Sequence, residues 1–536
     1  MAFGLYVSRC GGRVGDVIDV DELAACFERR AAVTRVVDDL YRADVLDRIE
    51  RDVMDAGLDG IVLAGHSPGR FDHSLSGRQI RERLVAAGVN PNRISCANIL
   101  EQVALPHAGD PEAAKAKARA LLEVAILEVT MRDEVGSKSA EPRRSVLILG
   151  ATAQGIIAAQ RLLQLGYRVV IADRADGSAR IAAMDILSAT AAYVLGHEAC
   201  ETVDDARIVD GSGWVGDYDV ALSSPDGTAT FQVGGILIAE PESAEWVEEL
   251  RAHFRIDVDD EGSARSIDPA VHPAETVDPG IMVVPRADAD APVRDKVAAA
   301  DSAAMALVLR LSQPLTVHYI ETSSVDETLC GGCASCVKTC AFGACSIDPE
   351  TGQSHVDIRR CRGCGKCVVG CAVGARDIVT SPHPYLVAAV HSLAESDSPG
   401  PRVLGFLCGG CGYPAADSAG EFVAGGGGAY PASFLPLRIP CGGRLDTLYV
   451  LEAFKAGFDG VAVFRCREGH CHNLIGNLDM DRRMNLLRTV LRSRGLDDLR
   501  LRIVDISPFE GEVFVAAVND FVGDLSKLAN GKGGPQ

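Results

Sequence analysis

The sequence predicts an α/β protein of several domains. Three observations predict it. The chain has 536 residues, too many for one core. Apolar runs of strand length alternate with helical runs in its first, second and last parts. A short cysteine-dense stretch separates the second part from the last. Three polar breaks rich in Ser, Gly or Pro divide the chain: "EVGSKSAEPRR" near 134–144, "ETSSVDET" near 321–328 and "AESDSPGPR" near 394–402. The expected domains are therefore 1–133, 144–320, 321–392 and 402–530.

The hydrophobic fraction of 47% is that of a globular protein, and the net charge of -21 argues against nucleic acid as a partner. No run of ~18 apolar residues occurs, so no transmembrane segment is expected and membrane docking would go through a partner. "MAFGLYVSRC" lacks the features of a signal peptide, which points to a cytoplasmic protein. Of 18 cysteines, 14 lie between Cys330 and Cys471. Such a cluster reads as metal ligation rather than disulfides, while Cys10, Cys26, Cys96 and Cys200 read as small buried apolar residues.

In the first domain the strand-like "GIVLAG" (60–65) and the helical "PEAAKAKARALLEVAILEV" (111–129) show the alternation. The second opens with "SVLILGATAQGIIAAQRLLQLGYRVVIADR" (145–174), a strand, tight turn, helix and strand that form one βαβ unit of a Rossmann-like domain. Its turn keeps Gly150 and Gly155 of the dinucleotide fingerprint but has Thr152 where the middle glycine lets the pyrophosphate approach. Asp173 ends the second strand, where an acid would accept from a ribose hydroxyl. Two readings follow: FAD bound at the helix N-terminus, or a scaffold that has lost its flavin.

In the third domain Cys330, Cys333, Cys336 and Cys340 have the spacing C-x2-C-x2-C-x3-C, and Cys361, Cys364, Cys367 and Cys371 repeat it. In two-cluster ferredoxins the fourth cysteine of each run serves the other cluster. The crossed assignment gives Cys330, Cys333, Cys336 and Cys371 to one [4Fe–4S] cluster, and Cys361, Cys364, Cys367 and Cys340 to the other. The intervening "ACSIDPETGQSHVDI" reads as a hairpin. Ala341 and Ala372 stand where ferredoxins usually have Pro, and Cys345 is a ninth thiol, read as core.

The last domain alternates again: "RVLGFLC", "PLRIPC", "GVAVFRC" and "LRIVDIS" are strands of a parallel sheet, with helices between them. Cys408 and Cys411, Cys441 and Cys466 stand at the carboxyl ends of three strands, where ligands of such sheets bind; Cys471 follows on the loop before a long helix. Four of these five thiols would hold a [2Fe–2S] cluster, with the choice between Cys466 and Cys471 open. His470 and His472 would be ligands, hydrogen-bond donors beside the cluster, or surface residues. Zinc at this rim is the alternative.

The stretches "GLYVSRCGGRVGDVIDVDEL", "GIVLAGHSP", "NILEQVALPHAGDPEAAKAKARALL" and "DSAAMALVLRL", followed by the double cysteine motif, resemble the A-type subunit of heterodisulfide reductase. From about 402 onward "CGGCG", "RIPCGGR", "GFDGVAVFRCREGHCHNLIGNLDMDRRMNLL" and "ISPFEGEVF" resemble the delta subunit of methyl-viologen-reducing hydrogenase, which carries a [2Fe–2S] cluster. The fusion is similar to the second flavoprotein subunit of quinone-interacting oxidoreductases and to the electron-transfer subunits of class II benzoyl-CoA reductase. The resemblance implies an electron-transfer subunit of a cytoplasmic oxidoreductase, with a hydrogenase- or dehydrogenase-type partner and FAD as a further cofactor. No residue set for substrate chemistry is apparent. The rival readings are a self-contained FAD-dependent NAD(P)H oxidoreductase and a zinc-stabilised scaffold.

Overall fold

The chain alternates strand and helix because its apolar residues do, and in the computed structural model three parallel sheets result. The structure describes residues 1–68, 75–175, 177–182, 188–259, 261–267, 273–285, 291–312, 315–318 and 322–531. The N-terminal sheet has the order Val33–Val37, Phe3–Ser8, Gly60–Gly65, Ile94–Asn98, all parallel. The long helix Pro111–Met131 packs on it; Asp110 caps that helix through Ala113 N–H, and Pro111 sits where a missing N–H costs nothing.

The second sheet runs Ile281–Val283, Gly235–Ile238, Ser145–Leu149, Arg168–Ala172, Cys200–Val203, also parallel. The expected βαβ unit is there, with its helix at Ala153–Gln164. A three-stranded antiparallel sheet, Arg207–Trp214, Asp217–Ser224 and Gly227–Val233, is inserted before Gly235–Ile238.

The cysteine-dense segment is small and doubled. Short helices Ser335–Thr339 and Lys366–Val369 each lie within one cysteine run. Cys345–Ile347 pairs with Ser354–Val356 as the expected hairpin, and Ser323–Val325 pairs with Arg376–Ile378. The last sheet has the order Phe434–Ile439, Val403–Cys408, Gly460–Cys466, Leu501–Ile506, all parallel.

Two breaks in the sequence are not plain linkers. Ser137–Ala140 forms a strand against Leu315–His318, and Ser323–Val325 belongs to the cysteine segment's own sheet. Nor do the first and last domains have separate cores. One apolar cluster runs from Leu5, Val62 and Leu122 through Tyr385, Leu386 and Val390 to Phe406, Leu437 and Val463. The helix His383–Ala394 bridges them, with Tyr385 Oη donating to Glu128 Oε1 at 2.9 Å.

Candidate metal centres

Three parallel strands of the last sheet end at one edge, and all five cysteines there are buried, none above 5% exposed. Cys408, Cys411 and Cys466 present their sulfurs within 4.8 Å of one another, with Cys408 and Cys466 3.7 Å apart. Cys408, Cys441, Cys466 and Cys471 line one cavity with His472, Asn473, Asn477 and Arg465. Glycines let the backbone come close. Gly412 N–H donates to Cys408 Sγ (3.3 Å) and Gly443 N–H to Cys441 Sγ (3.4 Å). A Cβ on Gly476 would lie 2.4 Å from Cys441 Sγ.

The thiols titrate as a set. Hydrogen bonds from Cys411 and Cys466 pull Cys408 well down, and one from Cys441, then one from Cys466, pulls Cys471 down. The same bonds and burial push Cys411, Cys441 and Cys466 well up, so protons are shared among the sulfurs. A bound cation would favour the thiolate form of each. The five cysteines thus form one group in which both Cys466 and Cys471 take part.

His472 and His470 separate. His472 Nδ1 lies 3.5 Å from Cys466 Sγ and 4.0 Å from Cys411 Sγ, while its Nε2 lies 2.6 Å from Asp257 Oδ1. Burial lowers its pKa, but Asp257 and the sulfurs of Cys408 and Cys471 outweigh burial and the net shift is upward. His470 is half-buried and outside the cavity lining. Asp257 comes from the second domain, as does Arg251, whose Nη2 donates to the carbonyl of Cys471 at 3.3 Å.

In the eight-cysteine segment a second cavity is lined by Cys330, Cys333, Cys336 and Cys371, together with Ser354, Ala375 and Arg376. Those four are one of the two crossed sets. Ser354 N–H donates to Cys330 Sγ at 3.3 Å, and Cys333 is exposed. Cys361, Cys364, Cys367 and Cys340, the other set, are mutual neighbours whose charges act on one another. Burial pushes the Cys364 thiol up to about 12. Cys345 is buried as expected, yet it also touches this set: its thiol donates to Cys340 and Cys367, lowering them to about 6 and about 5. Of the scattered four, Cys10 is buried, Cys96 and Cys200 are half-buried, and Cys26 is exposed, contrary to the expectation for it.

The two regions abut. Cys364 packs against the apolar cluster that contains the five rim cysteines, close enough for its charge to act on Cys441. Lys366 Nζ pairs with Asp479 Oδ2 at 2.6 Å, and a Cβ on Gly443 would meet Lys366 Cγ at 2.7 Å.

The glycine turn of the second domain is the place where a dinucleotide would bind. Gly150 adopts φ +104°, a conformation that glycine favours. Thr152 caps the helix Ala153–Gln164 by accepting from Gly155 N–H at 3.0 Å. Asp173, 1% exposed, turns back to accept from Ala151 N–H at 2.7 Å and from Ala175 N–H at 3.0 Å. Glu240 lies over Gly150, where a Cβ would meet its Cγ at 2.7 Å. Two N–H donors of the turn, those of Ala151 and Gly155, are engaged by the chain, and a glutamate side chain stands over Gly150. These residues do not fit FAD.

The sequence did not single out Arg376, Asp257 or Arg465. The one signal for Arg376 was an arginine in the strand-like "GARDIV", next to the second cysteine run.

Residues 403–529 match the family described as "Methyl-viologen-reducing hydrogenase, delta subunit". The D-type iron-sulfur subunit of the vhc F420-non-reducing hydrogenase of Methanococcus voltae is 39% identical over 128 residues, 24% of this chain and 86% of that protein. The A-type subunit of the ferredoxin/F420H2-dependent CoB-CoM heterodisulfide reductase of Methanosarcina acetivorans is 42% identical over 204 residues, 38% of this chain and 25% of that protein. The chain thus spans about a quarter of the length of this reductase protein. T. acidophilum thioredoxin reductase, a solved structure, covers 32% of this chain at 13% identity, with a TM-score of 0.21 over 100% of its own chain.

Proposed function

Over residues 403–529 the chain belongs to the methyl-viologen-reducing hydrogenase delta-subunit family, and from that premise we propose that it is an iron–sulfur electron-transfer subunit of a cytoplasmic oxidoreductase complex of heterodisulfide reductase type. Four of Cys408, Cys411, Cys441, Cys466 and Cys471 hold a [2Fe–2S] cluster. Cys330, Cys333, Cys336 and Cys371 hold one [4Fe–4S] cluster, and Cys361, Cys364, Cys367 and Cys340 hold the other. When bound, each cluster takes up and releases one electron, with no bond made or broken in the substrate sense.

The observation that carries the reading is the adjacency of the three cysteine groups. Cys364 packs against the apolar cluster that contains the rim cysteines, and the Cys364 group meets the Cys330 group through the hairpin Cys345–Ile347/Ser354–Val356. The thiolates bind, the N–H groups of Gly412, Gly443 and Ser354 donate to sulfur, and burial excludes water from the rim. On this reading electrons enter from a hydrogenase- or dehydrogenase-type partner at the rim and leave near exposed Cys333. No step passes through a flavin on this chain. Among the described residues no helix is long and apolar enough to cross a membrane.

Anaerobic purification with iron, zinc and acid-labile sulfide analysis and flavin extraction tests it. The expected result is about ten iron atoms per chain, from two four-iron clusters and one two-iron cluster, without flavin. Iron near zero sinks the relay. Stoichiometric FAD with bleaching by NAD(P)H would replace it with a flavin enzyme, and zinc in place of the two rim irons would reduce the last domain to a structural metal site.

A further inference from the structure

Arg376 lies on the inner face of the strand Arg376–Ile378 and is only 3% exposed. Its Nη2 donates to Cys345 Sγ at 3.0 Å and to Cys367 Sγ at 3.5 Å. Its Nη1 donates to Ser354 Oγ at 3.4 Å, and that oxygen lies 3.1 Å from Cys336 Sγ. The same side chain lines the cavity of Cys330, Cys333, Cys336 and Cys371. One guanidinium therefore stands between both four-cysteine groups.

Among the described residues no carboxylate pairs with it, and its Nε has no partner. The groups whose fields act on it are the sulfurs of Cys367, Cys345 and Cys336. An arginine keeps its charge in a protein, and a buried charge without a counter-charge is strongly disfavoured. The anions that balance it must be sulfurs. Cys345 matters to this arrangement because its thiol bonds the guanidinium and Cys340 alike. The charge thus reaches the Cys361 group through N–H bonds to two sulfurs. It reaches the Cys330 group through Ser354 and across the cavity it lines, where among the described residues it makes no N–H bond to sulfur.

We propose that Arg376 sets the reduction potentials of the two [4Fe–4S] sites, raising both and raising the site of Cys361, Cys364, Cys367 and Cys340 more. The proposal rests on the relay reading above. Each reduction brings one electron, and so one more negative charge, beside a fixed positive one, with no proton or ligand exchanged; the reduced form is stabilised and the potential rises. The uneven contact makes the site nearer the rim the better acceptor. An electron arriving from the rim is then held there until a partner draws it through the exposed Cys333 side.

The test is a redox titration of the full chain followed by electron paramagnetic resonance, with iron and sulfide measured on each sample. Arg376→Met and Arg376→Gln should shift both [4Fe–4S] midpoints negative, the Cys361-group signal further, at unchanged iron content. Arg376→Lys should keep most of the parent value, which a packing role would not predict. Unchanged midpoints in the Met and Gln variants at full iron overturn the proposal, as does an equal fall in the Lys variant. Should Met and Gln both lose iron, the Lys variant decides: midpoints near the parent's with the Cys361-group site the higher support the proposal, and an equal fall of both, or loss of iron there too, overturns it. A parent chain without iron overturns the relay as well, a failure distinguishable from the others.

Discussion

Lys117 is fully buried on the helix Pro111–Met131, its Nζ 3.0 Å from His107 Nε2 and 4.8 Å from the centre of the Tyr430 ring. Burial alone pulls the lysine down to about 7, and burial with the neighbouring Lys117 charge pulls His107 down to about 2. Both groups are pushed toward their neutral forms, so the sign of the pH dependence follows. Between pH 7 and the unfolded lysine value near ~10.4 the unfolded chain binds the proton that the native one refuses, and stability rises with pH by up to ~1.4 kcal/mol per unit. Below about pH 6.5 His107 adds a further loss as the pH falls. Thermal unfolding of Lys117→Met should show a flat profile from pH 7.5 to 9.5 and a higher midpoint than the parent at pH 7.5, with the gap closing as pH rises. A parent profile already flat would mean that Lys117 is charged in the fold. At the rim, Cys466→Ser and Cys471→Ser should differ, one variant losing the two rim irons and the other keeping them. Equal iron loss from both would mean that each sulfur is indispensable to the group.

Glycine decides how closely elements approach. On the helix Gly412–Ala424, a Cβ at Gly420 would lie 1.9 Å from the carbonyl oxygen of Glu101, in the N-terminal domain. Beside that contact Asp417 accepts from Ser67, from Asn98 Nδ2 and from Gln102 Nε2, the last two at 2.8 Å. Gly420→Ala should therefore cost about 1–3 kcal/mol, read as a drop in thermal midpoint, by forcing the helix off the turn it packs on. An unchanged midpoint would show that the junction yields freely. This seam explains what the sequence could and could not tell. The hairpin between the cysteine runs, the βαβ unit, the parallel last sheet and the helix from Pro111 were legible because each is set by local periodicity and turn chemistry. Cys371 shares a cavity with Cys330, Cys333 and Cys336, the grouping that the spacing of the two runs led one to expect. Asp417 meeting Asn98 joins residues 319 positions apart. Asp257 meeting His472 and Glu240 covering Gly150 are likewise remote in the chain. No local pattern encodes such pairs. The shared core of the first and last domains was hidden for the same reason, since a polar break in sequence says nothing about which apolar faces meet beyond it.

At the scale of the whole chain, polar contacts among the described residues tie the second domain to the cysteine segment and the rim. Arg359 reaches Asp217 and Asp219, Arg360 reaches Asp210, Arg251 reaches the Cys471 carbonyl and Asp257 holds His472. These contacts place the second domain against both the cysteine segment and the rim. On the relay proposed above, the rim and the eight-cysteine segment form one electron path whose input can be removed separately. Cys408→Ser combined with Cys466→Ser should abolish reduction of the [4Fe–4S] sites by a rim-specific protein donor, while a small chemical reductant still reduces them through the exposed Cys333 side. Iron per chain should fall by about two, the content of the rim cluster alone. Retention of protein-driven reduction in that variant would place the electron input at the Cys330 group and reverse the direction of the path. Loss of chemical reduction too would mean that the eight-cysteine segment cannot assemble without the rim, because the contacts of Lys366 with Gly443 and Asp479 hold it in shape. Iron analysis separates those two outcomes, since only the second lowers iron by more than the rim's share.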